Sequence, residues 1–127
     1  NYRKSPLSKS LQPLPAAAPQ AGDRFPWLRL QLKAGGPVED LYRKLDDTKF
    51  NLIVIGQLLE KALDLGGLLD VYGIPSVPGN AAELARLHVP QPSFYLVRPD
   101  GHVGLCGTHL DPAAVKRYVS GNLHLIG

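Results

Sequence analysis

FNLIVIG, residues 50–56, is the stretch that most limits what this chain can become. It is an apolar run with β-branched residues and no alternation. A strand with one wet face alternates apolar with polar residues, whereas a strand covered on both faces reads as a run of this kind. The chain must therefore hold a central strand with layers above and below it.

The rest of the sequence supplies those layers. WLRLQL alternates Trp27, Arg29 and Gln31 against Leu28, Leu30 and Leu32, which predicts a short strand broken by Gly35-Gly36-Pro37. Val38, Leu41, Tyr42 and Leu45 recur at i, i+3, i+4 and i+7, one face of a helix. After the central run, QLLEKALDL reads as a helix stopped by Gly66-Gly67, and LLDVYGI as a strand. PSVPGN is a loop in which Asn80 is placed to cap a helix over AAELARLH, with Ala81, Leu84, Ala85 and His88 on one side. PSFYLVR and HVGLC form a hairpin around Asp100-Gly101, where Gly101 supplies positive φ and Asp100 bonds nearby backbone. Asp111 caps a last helix with Pro112 at its first position, where a missing N–H costs nothing, and Val115, Tyr118 and Val119 form its apolar stripe.

The order is β-α-β-α-β-α-β-β-α. It predicts an α/β fold: a mostly parallel, mixed central sheet of about four to five strands flanked by helices, closing with a β-hairpin and a C-terminal helix. The 127 residues suffice for one domain. Residues 1–21 hold four prolines and no sustained period, so they read as an extended linker, with Tyr2, Leu7, Leu11 and Leu14 available to dock on a neighbouring surface. The folded domain is expected over residues 22–127.

Charge and cysteine content narrow the function classes. The net charge of +3 comes from scattered Lys and Arg with no basic block, which argues against nucleic-acid binding. No apolar run is long enough to span a bilayer, and no apolar stretch follows the basic N-terminus as a signal peptide requires. The single cysteine excludes an intramolecular disulfide and a thiolate zinc cluster, so the expected setting is cytoplasmic. The chain begins with Asn1 and has no Met, which suggests a fragment of a longer polypeptide.

The last third resembles thioredoxins. Pro92-Ser93, Phe94 to Val97, Asp100-Gly101, Val103 to Cys106, Gly107 and the helix Pro112 to Val119 correspond to that family's proline (usually cis), hairpin and final helix. The family's Cys-x-x-Cys position reads Gly56-Gln57-Leu58-Leu59-Glu60-Lys61, without a thiol. GDRFPWLRL also resembles the opening of peroxiredoxins, but their peroxidatic cysteine motif is absent. Disulfide exchange needs an attacking thiolate and a partner sulfur, which this chain does not supply by the usual route.

A closer likeness is to FAD-dependent aromatic-ring hydroxylases of the phenol and hydroxyphenylpropionate hydroxylase type, which often end in a thioredoxin-like domain lacking redox cysteines. Tyr2-Arg3-Lys4-Ser5-Pro6-Leu7, Gly22-Asp23-Arg24-Phe25-Pro26 and Leu96-Val97-Arg98-Pro99-Asp100-Gly101-His102-Val103 resemble three of that family's segments, in order. Leu105-Cys106 departs from the Trp-Arg common there. The chain has no Gly-x-Gly-x-x-Gly after a strand. The resemblance therefore implies that FAD and NAD(P)H bind upstream, in flavin-binding and substrate domains of the same polypeptide. This domain would play a structural or subunit-interface part, with no cofactor, metal or catalytic residue of its own and with homo-oligomers possible.

Individual residues are weighed against blander roles. Cys106 is a reactive thiol or, more simply, a small strand residue. His88, His102, His109 and His124 lack metal-site spacing, and His102 is expected at the surface or capping the turn. Asp23-Arg24 is expected to tie the first strand to its surroundings, Phe25 and Trp27 to be core, and Asp46-Asp47 a solvated helix end. Pro92, Asp100, Gly101, Asp23, Arg24 and Trp27 are thus structural candidates. Two rivals stay open: a stand-alone thioredoxin or peroxiredoxin relative using Cys106, and a peptide-binding module using the groove beside Pro92.

Overall fold

The structure, a computed structural model, describes residues 18–25, 28–31, 36–41, 48–56, 69–75, 77–99 and 101–122, with the backbone of residues 9 and 10. The expectations for Trp27, Tyr42, Leu45, Asp46-Asp47, Asp100, His124, the helix after Gly56 and residues 2–7 lie outside the described residues.

Seven strands and two helices occur among the described residues: β1 (Lys9–Ser10), β2 (Arg29–Gln31), β3 (Val38–Asp40), β4 (Phe50–Ile55), β5 (Leu69–Ile74), α1 (Pro78–Arg86), β6 (Ser93–Val97), β7 (Val103–Gly107) and α2 (Pro112–Gly121). Five strands form the main sheet in the order β1-β7-β6-β4-β5. It is mixed: β4 runs parallel to β5 and β1 to β7, while β4–β6 and β6–β7 are antiparallel. The α/β architecture expected from the pattern is the one observed.

Every residue of β4 is buried, as its unbroken apolar run requires. Its alternate side chains feed two apolar clusters on the two faces. Ile53 and Ile55 join Tyr95, Val97, Val103 and Cys106 beneath Leu28, Leu30, Leu41 and Leu84 of the β2–β3 region and α1. Phe50, Leu52 and Val54 join Phe94, Leu96 and Leu105 beneath Ala114, Val115 and Val119 of α2. The two described helices thus cover opposite faces, each with a narrow apolar stripe.

Four details correct the sequence expectations. β2 does not enter the main sheet; it pairs antiparallel with β3 in a separate two-stranded sheet. Val38 does not start a helix. Residues 38–40 are that partner strand, helical backbone begins only at Leu41, and Val38 is 56% exposed. Asn80 is not a cap either, because α1 starts at Pro78 with Val77 as its uncapped N-cap residue. Buried Asn80 instead accepts from the Gln31 amide (2.7 Å) and donates to the carbonyls of Gln31 (2.8 Å) and Pro75 (3.0 Å), fastening β2 to the helix. The buried stripe of α1 is accordingly Asn80 and Leu84, while Ala81, Ala85 and His88 are exposed.

α1 ends in a Schellman arrangement. Val89 N–H donates to Leu84 C=O (2.8 Å) and His88 N–H to Ala85 C=O (3.1 Å), with His88 at φ +59°. At α2 the expected cap holds: the Asp111 carboxylate accepts from the amides of Ala113 and Ala114. Between β6 and β7 the register shifts. Leu96 pairs with Leu105 but Val97 with Val103, so Gly104 is the extra residue of a bulge. The tract expected as a linker also contributes structure, for β1 lies along Leu105 and Cys106 of β7, and Ala18 and Ala21 are buried.

Candidate functional site

Two places could carry function: the end of the central strand, and the region where the resemblance-bearing segments lie. At the end of β4, Gly56 has φ +68° and its amide donates to the Ile74 carbonyl at 3.5 Å. It faces the Gln91-Pro92 peptide, which is cis. A Cβ on Gly56 would lie 3.5 Å from the Gln91 side chain and 3.6 Å from Pro92 Cα. Ser93, buried at the start of β6, donates its hydroxyl to the Pro90 carbonyl at 2.7 Å and fixes this corner. Among the described residues the corner thus brings together a glycine, a proline, a carboxamide and a serine hydroxyl already held by the Pro90 carbonyl. None of these is an activated nucleophile or a general base at neutral pH.

Cys106 lies elsewhere. Register places it beside Tyr95 on β6, which pairs in turn with Ile53 on β4, three residues before Gly56. Its side chain is fully buried within the apolar cluster of that face. A reactive thiol needs a cationic and accessible setting, and this one is buried and set back along the sheet from the Gly56 corner. Burial pushes the neighbouring Tyr95 phenol well above its ordinary value, and the charges of Cys106 and Asp23 add to the shift. The phenol donates to the Pro19 carbonyl at 3.0 Å.

The second place is denser. Gly22 N–H donates to Val103 C=O (2.8 Å), Val103 N–H to Asp23 C=O (2.8 Å), and Phe25 N–H to Gly101 C=O (3.0 Å). Arg24 and His102 form an antiparallel bridge between these bonds. The Asp23 carboxylate accepts from Gln20 N–H at 2.9 Å, closing the turn before the tract. Phe25 is buried with its ring 5.7 Å from that of Tyr95. The Gly22–Phe25 segment therefore lies as an extra edge against the Gly101–Val103 end of the hairpin. The hairpin itself is closed by Arg98 N–H to His102 C=O (2.8 Å) and Gly101 N–H to Arg98 C=O (2.9 Å), with Gly101 at φ +87°.

Four of the six structural candidates fall among the described residues; Trp27 and Asp100 lie outside them. Gly101 acts through backbone at this junction, Asp23 through both its carbonyl and its carboxylate, Arg24 is exposed on it, and Pro92 is at the other site. Sequence reasoning missed Asn80 as a tether, Tyr95 as the anchor of residue 19, and Gly104. Of these only Gly104 had a signal, an isolated glycine within a strand pattern. The exposed Glu83–Arg86 pair (2.9 Å) lowers the Glu83 pKa, chiefly through the Arg86 hydrogen bond, and the Glu83 carboxylate also accepts from Arg29 N–H at 3.0 Å.

A dinucleotide pyrophosphate at a helix start needs free N–H groups. Asp111 already fills the start of α2, and Pro78 removes a donor at the start of α1. Among the described residues no three His, Cys, Asp or Glu side chains gather as a metal site, and no helix is long and apolar enough to cross a membrane. Compared with known proteins, the chain matches no family model and no curated sequence.

Proposed function

We propose that this chain is a redox-inactive, thioredoxin-like C-terminal domain of a FAD-dependent aromatic-ring monooxygenase, acting in the cytoplasm as a structural or subunit-interface element. One observation carries the reading. Two of the three segments on which the resemblance rests, Gly22–Phe25 and Leu96–Val103, are joined by three backbone hydrogen bonds into one unit. Segments that form one unit are expected to occur together, and isolated short matches would have no reason to touch. The third segment ends two residues before β1, which pairs with the same hairpin's β7.

In this reading the chemistry belongs to the parent enzyme's FAD and NAD(P)H, bound in preceding domains, and the cofactor performs it. This domain gives those domains a rigid surface, to which residues 18–25 are fastened. The lack of a cysteine in the residues just after Gly56, and of a thiol or base at this corner among the described residues, supports a scaffold over a thiol enzyme. The test is the reading frame upstream of Asn1 together with the purified whole polypeptide. A Rossmann-type Gly-x-Gly-x-x-Gly, a yellow FAD-bound protein and phenol-stimulated NAD(P)H oxidation are expected. A frame without that motif, or peroxide consumption by the 127-residue chain that disappears in Cys106→Ser, would overturn the reading.

A further inference from the structure

The two edges of the main sheet are unlike. One is covered by β1, a two-residue strand carrying Lys9. The other is β5, which pairs with β4 along all six of its residues and has no second neighbour among the described strands. Gly56 N–H donates to the Ile74 carbonyl, so Ile74 turns its backbone groups toward β4. By the alternation of a strand, Tyr72 and Asp70 do likewise, and Leu69, Val71 and Gly73 turn theirs outward. No described residue outside the sheet bonds the outward groups of Val71 or Gly73.

Proteins blunt such edges with charge, proline, bulges or brevity. β5 keeps an unbroken register with β4 and contains no proline. Its single charge, Asp70, is paired with Lys49 at 3.2 Å. Its sequence also suits pairing with itself. In an antiparallel pair, outward residues must oppose outward residues. A two-fold axis at Val71 sets Val71 against Val71 of the partner subunit, Leu69 against Gly73 of the partner subunit, and Asp70 against Tyr72 of the partner subunit. A β-branched pair then sits at the centre, and the carboxylate meets a tyrosine and not its own copy.

We propose that β5 is a self-association edge, taking the β5 of a second copy of this chain to form one sheet through both. The interface is isologous, so a single substitution acts twice. The proposal does not depend on the flavoenzyme reading.

Sedimentation equilibrium of the chain tests it. A five-residue pairing is at the small end of interfaces, so the average mass should climb from monomer toward dimer with concentration. Val71→Pro removes an outward N–H that β4 does not use, and should weaken association about tenfold or more with unchanged circular dichroism. Val71→Lys and Val71→Glu each set like charges across the axis; each should be monomeric alone, and an equimolar mixture should associate again. If the proline variant fails to fold, the Lys/Glu pair still decides. A wild-type chain monomeric up to about 1 mM, a Val71→Pro chain that associates as before, or a mixture no better than either charged variant would each overturn the proposal.

Discussion

Gly104→Ala should destabilise the fold by about 2 kcal/mol, and most of that cost should vanish once Tyr118 is removed. Gly104 is the bulged residue of β7, and it carries no left-handed φ that would by itself exclude alanine. What excludes it is space. An added Cβ would overlap Tyr118 Oη and lie 2.6 Å from Tyr118 Cζ and 3.0 Å from Arg98 Cγ. The Tyr118 ring must swing away, although it meets Phe50 edge-on at 6.0 Å and 90°. Overpacking of this kind costs about 1–3 kcal/mol, and losing an aromatic pair about 0.5–1.5 kcal/mol. Against this, alanine restricts the unfolded chain and returns about 0.5–1 kcal/mol. The net of about 2 kcal/mol corresponds to a fall in Tm of roughly 5–10 °C for a chain of this size. A double-mutant cycle with Tyr118→Ala, read by urea unfolding, isolates the overlap. In the Tyr118→Ala background only the 3.0 Å approach to Arg98 Cγ is left, and Gly104→Ala should be nearly neutral, within about 0.5 kcal/mol. A neutral Gly104→Ala, or a cost that persists without the tyrosine, would refute the steric reasoning.

Other outcomes follow from single features. His88→Gly relieves a side chain held at φ +59°, and thermal unfolding should show a gain of about 0.5–1 kcal/mol after glycine's own entropy cost. Asn80→Ala strips three hydrogen bonds from Gln31 and Pro75 and should cost about 2–3 kcal/mol; Asn80→Asp should cost more, because a carboxylate would face two carbonyls. Tyr95 keeps its proton in the fold beyond the point where the unfolded phenol loses it, so its contribution is complete below pH about 10 and is lost as pH rises from there. Tyr95→Phe should flatten that alkaline slope in urea titrations at stepped pH. A disulfide reagent should label Cys106 only as denaturant unfolds the chain, and labelling at the native rate of a small exposed thiol would contradict its burial.

What could be read from the sequence was the chemistry that is local. The central strand announces itself because burial on both faces leaves no polar alternation, and α2 because Asp111 and Pro112 satisfy its first turn wherever the helix lies. Position 38 fails for the opposite reason. Four apolar residues can satisfy helical spacing by chance, and only pairing with β2 makes Val38–Asp40 a strand. Asn80 is a good capping residue that tertiary contacts place inside the helix, while Pro78, suited to a first helical position, marked the true start. β1 is two residues long and stands by its partner alone. The missing thiol at the Gly56 corner could be read directly, since a site without its reacting atom needs no geometry to exclude. The junction of GDRFP with the hairpin could not, because 76 residues separate Phe25 from Gly101 and nothing local links them.

The bulge at Gly104 decides what Cys106 can do. Without it, strict alternation from Val103 would turn Cys106 to the α2 face. With it, Cys106 joins the opposite cluster, alongside Tyr95, Ala21 and Phe25. That cluster is closed by the tract of residues 18–25, which holds on through the Gly22, Val103 and Phe25 amide bonds and the Tyr95 hydroxyl. At about 1 kcal/mol each, those four bonds amount to about 4 kcal/mol before the burial of Phe25 is counted. A domain of this kind has only about 5–15 kcal/mol in total. Peeling the tract away to reach the thiol therefore costs a large share of the domain's stability. The contacts that join the GDRFP and hairpin segments are the same ones that seal the only thiol, so the proposed scaffold role and the burial of Cys106 rest on one set of bonds.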